Sequence, residues 1–213
     1  MSNQPIRLYR FALSGHAHRV ELFLALLGLP VELVDVDLAA GAQRAPEFLA
    51  LNPFGQVPVI VDGDVTIADS NAILVYLARR YDAAGTWLPS DPVGEARVQQ
   101  WLSAAAGPLA FGPSAARVAV LFGGAVDRAR ALGIAERLFA TLDAHLADRR
   151  FLVGEAPTIA DVALYSYTAV APEGGCDMAP YGNVRAWIDR LEALPGFLPM
   201  PRTVVPAAIA AAV

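Results

Sequence analysis

The N-terminal third of the chain contains side chains that could bind a ligand. Ser14 stands between a strand pattern and a helical pattern, so its hydroxyl would lie at the positive end of the helix dipole. A hydroxyl there can donate a hydrogen bond to an anion, but it is too weak an acid to be ionised or to serve as the base. An N-terminal cap with no further role is the alternative.

Two further positions could hold charged groups of such a ligand. Asp69 and Ser70 open a second helical pattern, and a helix N-terminus with a hydroxyl binds a carboxylate well, while a neighbouring carboxylate suits an ammonium group. The pair therefore fits the head group of an α-amino acid, with a plain helix cap as the alternative. Arg44, before a short helix, could hold another carboxylate or be only solvated.

The configuration of the peptide bond between Val57 and Pro58, cis or trans, determines whether the backbone of Val57 can pair with a peptide. Pro58 opens a strand and leaves Val57 without a hydrogen-bonding neighbour on its C-terminal side. If the bond is cis, the backbone of Val57 points outward and can pair with an extended peptide. A trans turn proline is the commoner alternative.

The histidines and the cysteine differ in their expected roles. His16 shares the helix N-terminus with Ser14, and a histidine beside an acidic group of a ligand could accept its proton or, if charged, stabilise the resulting anion. We expect a helix-surface or packing role for His18 and a surface position on a long helix for His145. Cys176, the only cysteine, lies in a Gly-rich loop and is not expected to be catalytic; a single cysteine also excludes an internal disulfide, a CxxC redox pair and a thiolate zinc site.

Two periodicities alternate in the part of the chain that carries these residues. The predicted elements are, in order, strand 6–11, helix 16–27, strand 31–36, helix 46–51, strands 59–61 and 65–67, and a helix with Ile73, Leu74, Leu77 and Tyr81 on one face. The turn at Asp62-Gly63-Asp64 predicts that the last two strands form an antiparallel hairpin. The order is β-α-β-α-β-β-α.

From Asp91 onward the pattern is helical. Breaks are predicted at Gly107-Pro108, Gly112-Pro113, Gly123-Gly124 and over 172–180, and an apolar stripe repeats at Ile134, Leu138, Leu142 and Leu146. Thr158 and Asp161 have the spacing of a capping box. We predict a first domain over 1–82, a linker over 83–92, an all-helical domain over 93–200 and a C-terminal tail over 201–213.

The composition limits the class of partner. All 16 basic residues of the 213 are arginine, the 21 acidic residues give a net charge of -5, and the pI is about 5.1, so neither nucleic acid nor an anionic membrane surface is favoured. The 55% hydrophobic content reflects 41 alanines. No unbroken run approaches the roughly 18 apolar residues of a membrane span, and no export signal is recognised. A soluble, cytoplasmic, metal-independent protein is expected.

Four motifs together resemble the glutathione S-transferase family, in particular its serine-type cytosolic bacterial members. They are LSGH at 13–16, PEFLALNPFGQVP at 46–58, DSNAILVYL at 69–77 and PTIAD at 157–161. Their order and spacing are more specific than any one of them, and the resemblance covers nearly the whole chain. It implies a thioredoxin-like N-terminal domain, a helical-bundle C-terminal domain, a homodimer and a cis bond before Pro58.

The resemblance also implies roles for individual residues. Ser14 matches the residue that hydrogen-bonds the glutathione sulfur, and His16 falls where some bacterial members have Asn. Gln56 and Val57 match the residues that grip the cysteinyl-glycine part, Val57 through its backbone.

The remaining matches concern the two ends of glutathione. Asp69 and Ser70 match the pair that binds the γ-glutamyl head, although many relatives have Glu or Gln where Asp69 stands. Arg44 would hold the glycine carboxylate.

The implied activity is that of a glutathione transferase, which joins the thiolate of its co-substrate glutathione to a small electrophile, the chemistry of detoxification. Aromatic residues of the helical domain could face the electrophile: Trp101, Phe111, Tyr165 and Tyr167. A glutathione-dependent disulfide or peroxide reductase is an alternative, although a hydroxyl at position 14 cannot form the mixed disulfide of cysteine-type members. A non-catalytic binding module is another, but it predicts a damaged pocket, whereas Ser14, Val57-Pro58 and Ser70 are all present.

Overall fold

The structure, a computed structural model, describes residues 4–203, so most of the predicted C-terminal tail lies outside the described residues. Its sheet has four strands in the spatial order β2-β1-β3-β4: β1 Ile6–Arg10, β2 Val31–Asp35, β3 Val59–Asp62 and β4 Val65–Ala68. Strands β1 and β2 are parallel, whereas β3 runs antiparallel to both β1 and β4. The predicted hairpin is confirmed.

Three helices complete this domain, and they confirm the predicted order β-α-β-α-β-β-α: α1 Gly15–Leu26, α2 Pro46–Leu49 and α3 Ser70–Tyr81. Completely buried side chains of the central strands, Leu8 and Ile60, share one core with Phe23 of α1 and Leu74 of α3. Phe48 of α2 belongs to a second, smaller core. Because strand side chains alternate between faces, the two cores cover opposite faces of the sheet.

The second domain is helical: α4 Pro92–Ala104, α5 Ala115–Phe122, α6 Arg128–His145, α7 Ile159–Ala169 and α8 Gly182–Glu192. Helix α7 is its centre, since every residue from Ile159 to Thr168 is buried. A helix that is buried all round needs apolar or hydrogen-bonded side chains on every face. Helix α7 contacts both α4 of its own domain and α1 of the first domain.

The predicted breaks at Gly107-Pro108 and Gly112-Pro113 are wrong. Residues 105–114 form π-helical turns that continue α4 into α5. A proline lacks an N–H donor and its ring clashes with the carbonyl four residues earlier, and the wider turn accommodates both. Gly112 allows close packing here, because a Cβ atom would lie 2.9 Å from the backbone nitrogen of Ala135. The break at Gly123-Gly124 is confirmed, since α5 ends at Phe122.

Within residues 4–203, one helical stretch, Pro92–Phe122, is long and apolar enough to cross a membrane by length and composition alone. This is weak support for a membrane span, because core helices of soluble proteins have the same properties. The stretch contacts α6 and α7.

The capping box that opens α7 is confirmed, and it also connects three segments of the chain. The completely buried carboxylate of Asp161 accepts hydrogen bonds from the backbone N–H groups of Thr158 at 2.8 Å and Leu152 at 2.9 Å. It also accepts one from the indole N–H of Trp187 in α8 at 2.9 Å. The carboxylate therefore fixes the start of α7 and its contact with α8.

Candidate active site

A largely apolar cavity of about 690 Å³ lies between the two domains. Four of the predicted site residues line it: Ser14, His16, Gln56 and Val57. The Val57–Pro58 peptide bond is cis, as the resemblance implies. Because Ser14 and His16 line the cavity together with Gln56 and Val57, the loop between β1 and α1 meets the segment before β3 at one edge of the cavity.

The other predicted residues do not line this cavity. Asp69 and Ser70 are at the N-terminus of α3, with Asp69 exposed and Ser70 buried. Arg44 is exposed, and its neighbour Gln43 lines the cavity in its place. The structure therefore brings together the predicted residues for the sulfur and the cysteinyl-glycine part, and it places those for the two ends of the peptide outside the cavity wall.

Ser14 is the N-terminal cap of α1. Its hydroxyl oxygen accepts a hydrogen bond from the backbone N–H of Ala17 at 3.2 Å. Since that bond uses a lone pair, the hydroxyl proton remains available for donation. The cap that sequence predicts is therefore compatible with a second role toward an anion in the cavity.

His16 and Gly15 form the contact between this helix terminus and α7. The Tyr167 ring packs so closely on Gly15 that a Cβ atom there would lie 2.8 Å from the ring carbons. The His16 ring meets the same tyrosine edge to face, with 5.0 Å between centroids. Burial, together with the charge of Arg19, lowers the pKa of His16 to about 3. His16 is therefore neutral at pH 7 and cannot stabilise a thiolate by its charge.

His18 has a packing role, as expected. It is buried, and its ring nitrogens contact the Ser166 hydroxyl at 2.8 Å and the Leu198 carbonyl oxygen at 3.1 Å. His145 is not a simple surface residue: its Nε2 lies 3.0 Å from the Leu152 carbonyl oxygen and its ring packs on Trp101. Neither histidine lines the cavity.

The N-terminus of α3 has an unusual backbone and a polar network. Asp69 has a φ of 73°, a region that residues other than glycine rarely adopt, and strain of this kind is often found at ligand sites. Its Oδ1 caps the helix by accepting the N–H groups of Asn71 and Ala72 at 3.0 and 2.9 Å. Behind it, the guanidinium of Arg19 donates to the Ser70 hydroxyl and to Asn71 Oδ1.

Comparison with known proteins matches both domains. The family model for the glutathione S-transferase N-terminal domain matches residues 4–79, and that for the C-terminal domain matches residues 108–195. The chain belongs to the glutathione S-transferase family. Its thioredoxin-like and helical domains are those the resemblance implies, and as an enzyme of this family it conjugates glutathione to an electrophile.

Individual relatives span nearly the whole transferase. It is 40% identical to glutathione S-transferase 3 of Zea mays, with 91% of each chain covered. A crystal structure of a glutathione S-transferase from Pseudomonas fluorescens Pf-5 superposes with a TM-score of 0.87 at 33% identity, covering 92% of this chain and 99% of that one. The disulfide-bond oxidoreductase YfcG of Escherichia coli strain K12 is 31% identical, with 89% of this chain and 91% of YfcG covered.

The aromatic residues that line the cavity of this transferase are not the set that was expected from the sequence. Of the four aromatic candidates only Tyr167 lines the cavity; Trp101 and Tyr165 are buried in the core and Phe111 is exposed on the surface. Sequence analysis missed the wall residues Phe11, Val118 and Phe122. The rings of Phe11 and Phe122 meet edge to face with 6.0 Å between centroids, one ring from each domain.

Cys176 is buried outside the cavity, in agreement with the expectation that it is not catalytic. Burial raises the pKa of its thiol to about 11. At neutral pH the thiol is protonated and therefore a poor nucleophile.

Arg117 also lines the cavity and was missed, although it is the only charged residue between Arg97 and Asp127. Its Nε donates to Glu173 at 2.7 Å and its Nη1 donates to the Leu13 carbonyl oxygen at 2.6 Å. A lone arginine in an apolar helical stretch is a signal for a buried ion pair. Arg117, oriented by its pair with Glu173, therefore connects the helical domain to the backbone immediately before Ser14.

We expect the Arg117→Met variant to lose about 3–5 kcal/mol of unfolding free energy, because Glu173 would be left as a buried charge without its partner. Urea denaturation measures the loss. The double variant Arg117→Met, Glu173→Leu should recover part of it. Arg149→Met, which removes an exposed pair with Asp148, is the control and should cost less than about 1 kcal/mol. A loss from Arg117→Met as small as that of the control would contradict a stabilising role of the Arg117–Glu173 ion pair.

Proposed function

We propose that this transferase binds glutathione along the cavity edge formed by Ser14 and Val57 and onward to Ser70 outside the cavity, and transfers its sulfur to an uncharged apolar electrophile held between the domains. The observation that carries the proposal is the Ser14 hydroxyl. It lines the cavity at the start of α1, and its oxygen accepts an N–H group so that its proton is available to a sulfur anion.

The chemistry required of Ser14 is stabilisation of the thiolate. A free thiol has a pKa of about 8.5, and the thiolate is the nucleophile. Lowering the pKa by about two units requires about 2.7 kcal/mol in favour of the anion. The O–H···S⁻ hydrogen bond from Ser14 supplies part of this and the α1 dipole adds about 0.3–1 kcal/mol. With His16 neutral and weakly basic, the proton leaves to solvent or to a carboxylate of glutathione itself.

The remaining predicted residues bind the peptide. Gln56 and the backbone of Val57 line the cavity where the cysteinyl-glycine part would extend. Asp69 caps α3 through Oδ1, which leaves Oδ2 for the γ-glutamyl ammonium, while Ser70 takes the α-carboxylate. Arg44 is exposed next to the cavity residue Gln43, and its guanidinium binds the glycine carboxylate from the solvent side.

The second substrate is apolar in this proposal because of what faces it. Phe11, Val118, Phe122 and Tyr167 line the cavity beside Ser14. The guanidinium of Arg117 is engaged by Glu173 and by the backbone, so it does not offer a free charge to an anionic substrate. An electrophile with a planar apolar body fits these walls, and its conjugation would serve detoxification.

Disulfide reduction is the second candidate, supported by the similarity to YfcG. In this reaction the bound thiolate attacks a disulfide and displaces one thiolate, and a second glutathione then attacks the mixed disulfide to give glutathione disulfide and the second thiol. The enzyme's own cysteine takes no part, because Cys176 is buried and protonated. Both electrons come from the two glutathione molecules.

We further propose a cytoplasmic homodimer, with domain limits at 1–82 and 93–200. The ring of Phe54 is 83% exposed, which is unusual for a large apolar side chain. A groove of about 390 Å³ between α3 and α4 is lined by Val75, Leu88 and Val98, among others. In a twofold dimer each Phe54 can enter the groove of the partner, since such interfaces are self-complementary.

The function is tested by binding and turnover. We expect the purified protein to be retained on immobilised glutathione, eluted by free glutathione, and active with 1-chloro-2,4-dinitrobenzene in a spectrophotometric assay. Hydroxyethyl disulfide tests the second candidate: faster turnover of this substrate than of the chloronitrobenzene would favour reductase over transferase activity. No retention and no turnover of either substrate would contradict a glutathione-dependent enzyme.

Replacement of Ser14 by Ala should raise the kinetic pKa of the thiol. A hydrogen bond to a charged group contributes about 1.5–3 kcal/mol, or about 1–2 pKa units. The pH dependence of kcat/KM measures the shift: activity should fall about 10- to 100-fold at pH 6.5 and recover as the pH rises. The control is Ser103→Ala, on an exposed position of α4. An unchanged profile in Ser14→Ala would assign the hydrogen bond to another donor, with His16 the first to examine.

The dimer is tested by Phe54→Ser. We expect this variant to sediment as a monomer at concentrations where the unmodified protein is a dimer, because it removes the apolar ring from the proposed interface. Analytical ultracentrifugation measures the change. Phe111→Ser removes another exposed ring, 67% accessible, and should leave the dimer intact. Equal effects of the two substitutions would argue against Phe54 as the contact.

A further inference from the structure

Arg19 in α1 is a completely buried cation without an ion pair to any residue between 4 and 203. Its Nη1 donates to Asn71 Oδ1 at 2.9 Å and to Ser70 Oγ at 3.3 Å. Its Nε and Nη2 have no hydrogen-bond partner in that part of the chain. A buried charge is costly unless an opposite charge compensates it, and within residues 4–203 this guanidinium has the Coulombic attraction of Asp69 but no ion pair with it.

The contacts of Arg19 determine the direction of the neighbouring hydrogen bonds. A guanidinium can only donate, so the Ser70 oxygen accepts from Arg19 and the Ser70 proton must be donated to another group. The amide of Asn71 is oriented as well, because its Oδ1 accepts from Arg19 and its Nδ2 donates to the Leu102 carbonyl oxygen of α4 at 2.9 Å. By donating to the Ser70 oxygen, Arg19 therefore orients the Ser70 hydroxyl so that its proton is donated to another group.

Ser70 is also the first residue of α3, a helix of 12 residues, so the positive end of its dipole lies at the same place. A donor hydroxyl, a helix N-terminus and a buried cation behind them all favour one ligand group, an anion. Burial lowers the pKa of Arg19 only to about 10, so the guanidinium keeps its charge at pH 7.

We propose that Arg19 is a positioning residue for the α-carboxylate of the γ-glutamyl group: it acts through Ser70, whose hydroxyl it holds as a donor, and its charge is compensated when the carboxylate binds. The inference rests on the proposed function, since the ligand is glutathione. It adds a residue from α1 to the binding of the γ-glutamyl end. Arg19 does not touch the sulfur, so its effect concerns affinity at this end of the peptide.

A purely structural role is the competing explanation, because Arg19 and Asn71 also connect α1 and α3 to α4. Such a role would weaken the binding of every ligand to a similar degree. The proposal instead predicts a loss specific to ligands with the α-carboxylate. The distinguishing quantity is thus the ratio of the Kd values of two tripeptides that differ only in that group.

The experiment compares glutathione with γ-aminobutyryl-cysteinylglycine, which keeps the amine and lacks the α-carboxylate, by isothermal titration calorimetry. We expect the unmodified protein to prefer glutathione by about 30-fold, and Arg19→Gln, which keeps a donor but not the charge, to reduce the preference to about 3-fold. Arg19→Lys, which keeps the charge, should stay within about 3-fold of the unmodified ratio. Arg10→Met removes the ion pairs with Glu21 and Asp35, neither of which involves Ser70 or Asn71, and should leave the ratio unchanged.

The outcomes separate the inference from the proposed function. A protein that binds neither tripeptide contradicts the proposed function, whereas one that binds glutathione and keeps its full preference in Arg19→Gln overturns the role of Arg19 alone. Equal affinity of the unmodified protein for both tripeptides also overturns it. If Arg19→Gln does not fold, Asn71→Asp places a carboxylate against the guanidinium, and the preference should fall in the same way; an undiminished preference would overturn the inference.

Discussion

Helix α1 must pack against two domains at once, and the arrangement of the site depends on this constraint. On one side its apolar residues contribute to the core of the sheet domain, and on the other Gly15 and His18 contact α7. The close approach of the Tyr167 ring to Gly15 fixes how far the helical domain can stand from the start of α1. Since Ser14 caps that same helix, the packing between domains also sets the position of the Ser14 hydroxyl.

Local signals explain most of what sequence analysis predicted. The strands, the Asp62-Gly63-Asp64 hairpin and the Thr158–Asp161 capping box each depend on residues close together in the chain, and the structure confirms them. Ser14 was identified for the same reason, because a cap is recognisable from its neighbours. The error at residues 105–114 has a similar origin: glycine and proline usually end a helix, but packing against α6 and the wider π turns allowed the helix to continue.

Residues of the cavity wall could not be predicted in this way. Phe11 and Phe122 meet across the domain boundary although more than half the chain separates them, and no periodicity within either segment indicates the contact. Tyr167 and Tyr165 are two positions apart in one buried helix, yet only Tyr167 lines the cavity. Arg117 differs from these residues, because a single charge in a long apolar stretch is a signal for a buried ion pair, but it too was missed. Its partner Glu173, in the short 3₁₀ helix Ala171–Gly174, carries no such signal in the sequence.

Because Cys176 is buried and the pKa of its thiol is raised, the protein's own sulfur reacts slowly with thiol reagents, whereas glutathione in solution does not share this protection. An enzyme that holds an activated sulfur must otherwise protect its own cysteines from the electrophiles and disulfides it meets. Here the lone thiol is shielded and its pKa is raised to about 11, so alkylating agents at neutral pH would consume glutathione first. The enzyme therefore has no exposed cysteine that an electrophile could alkylate.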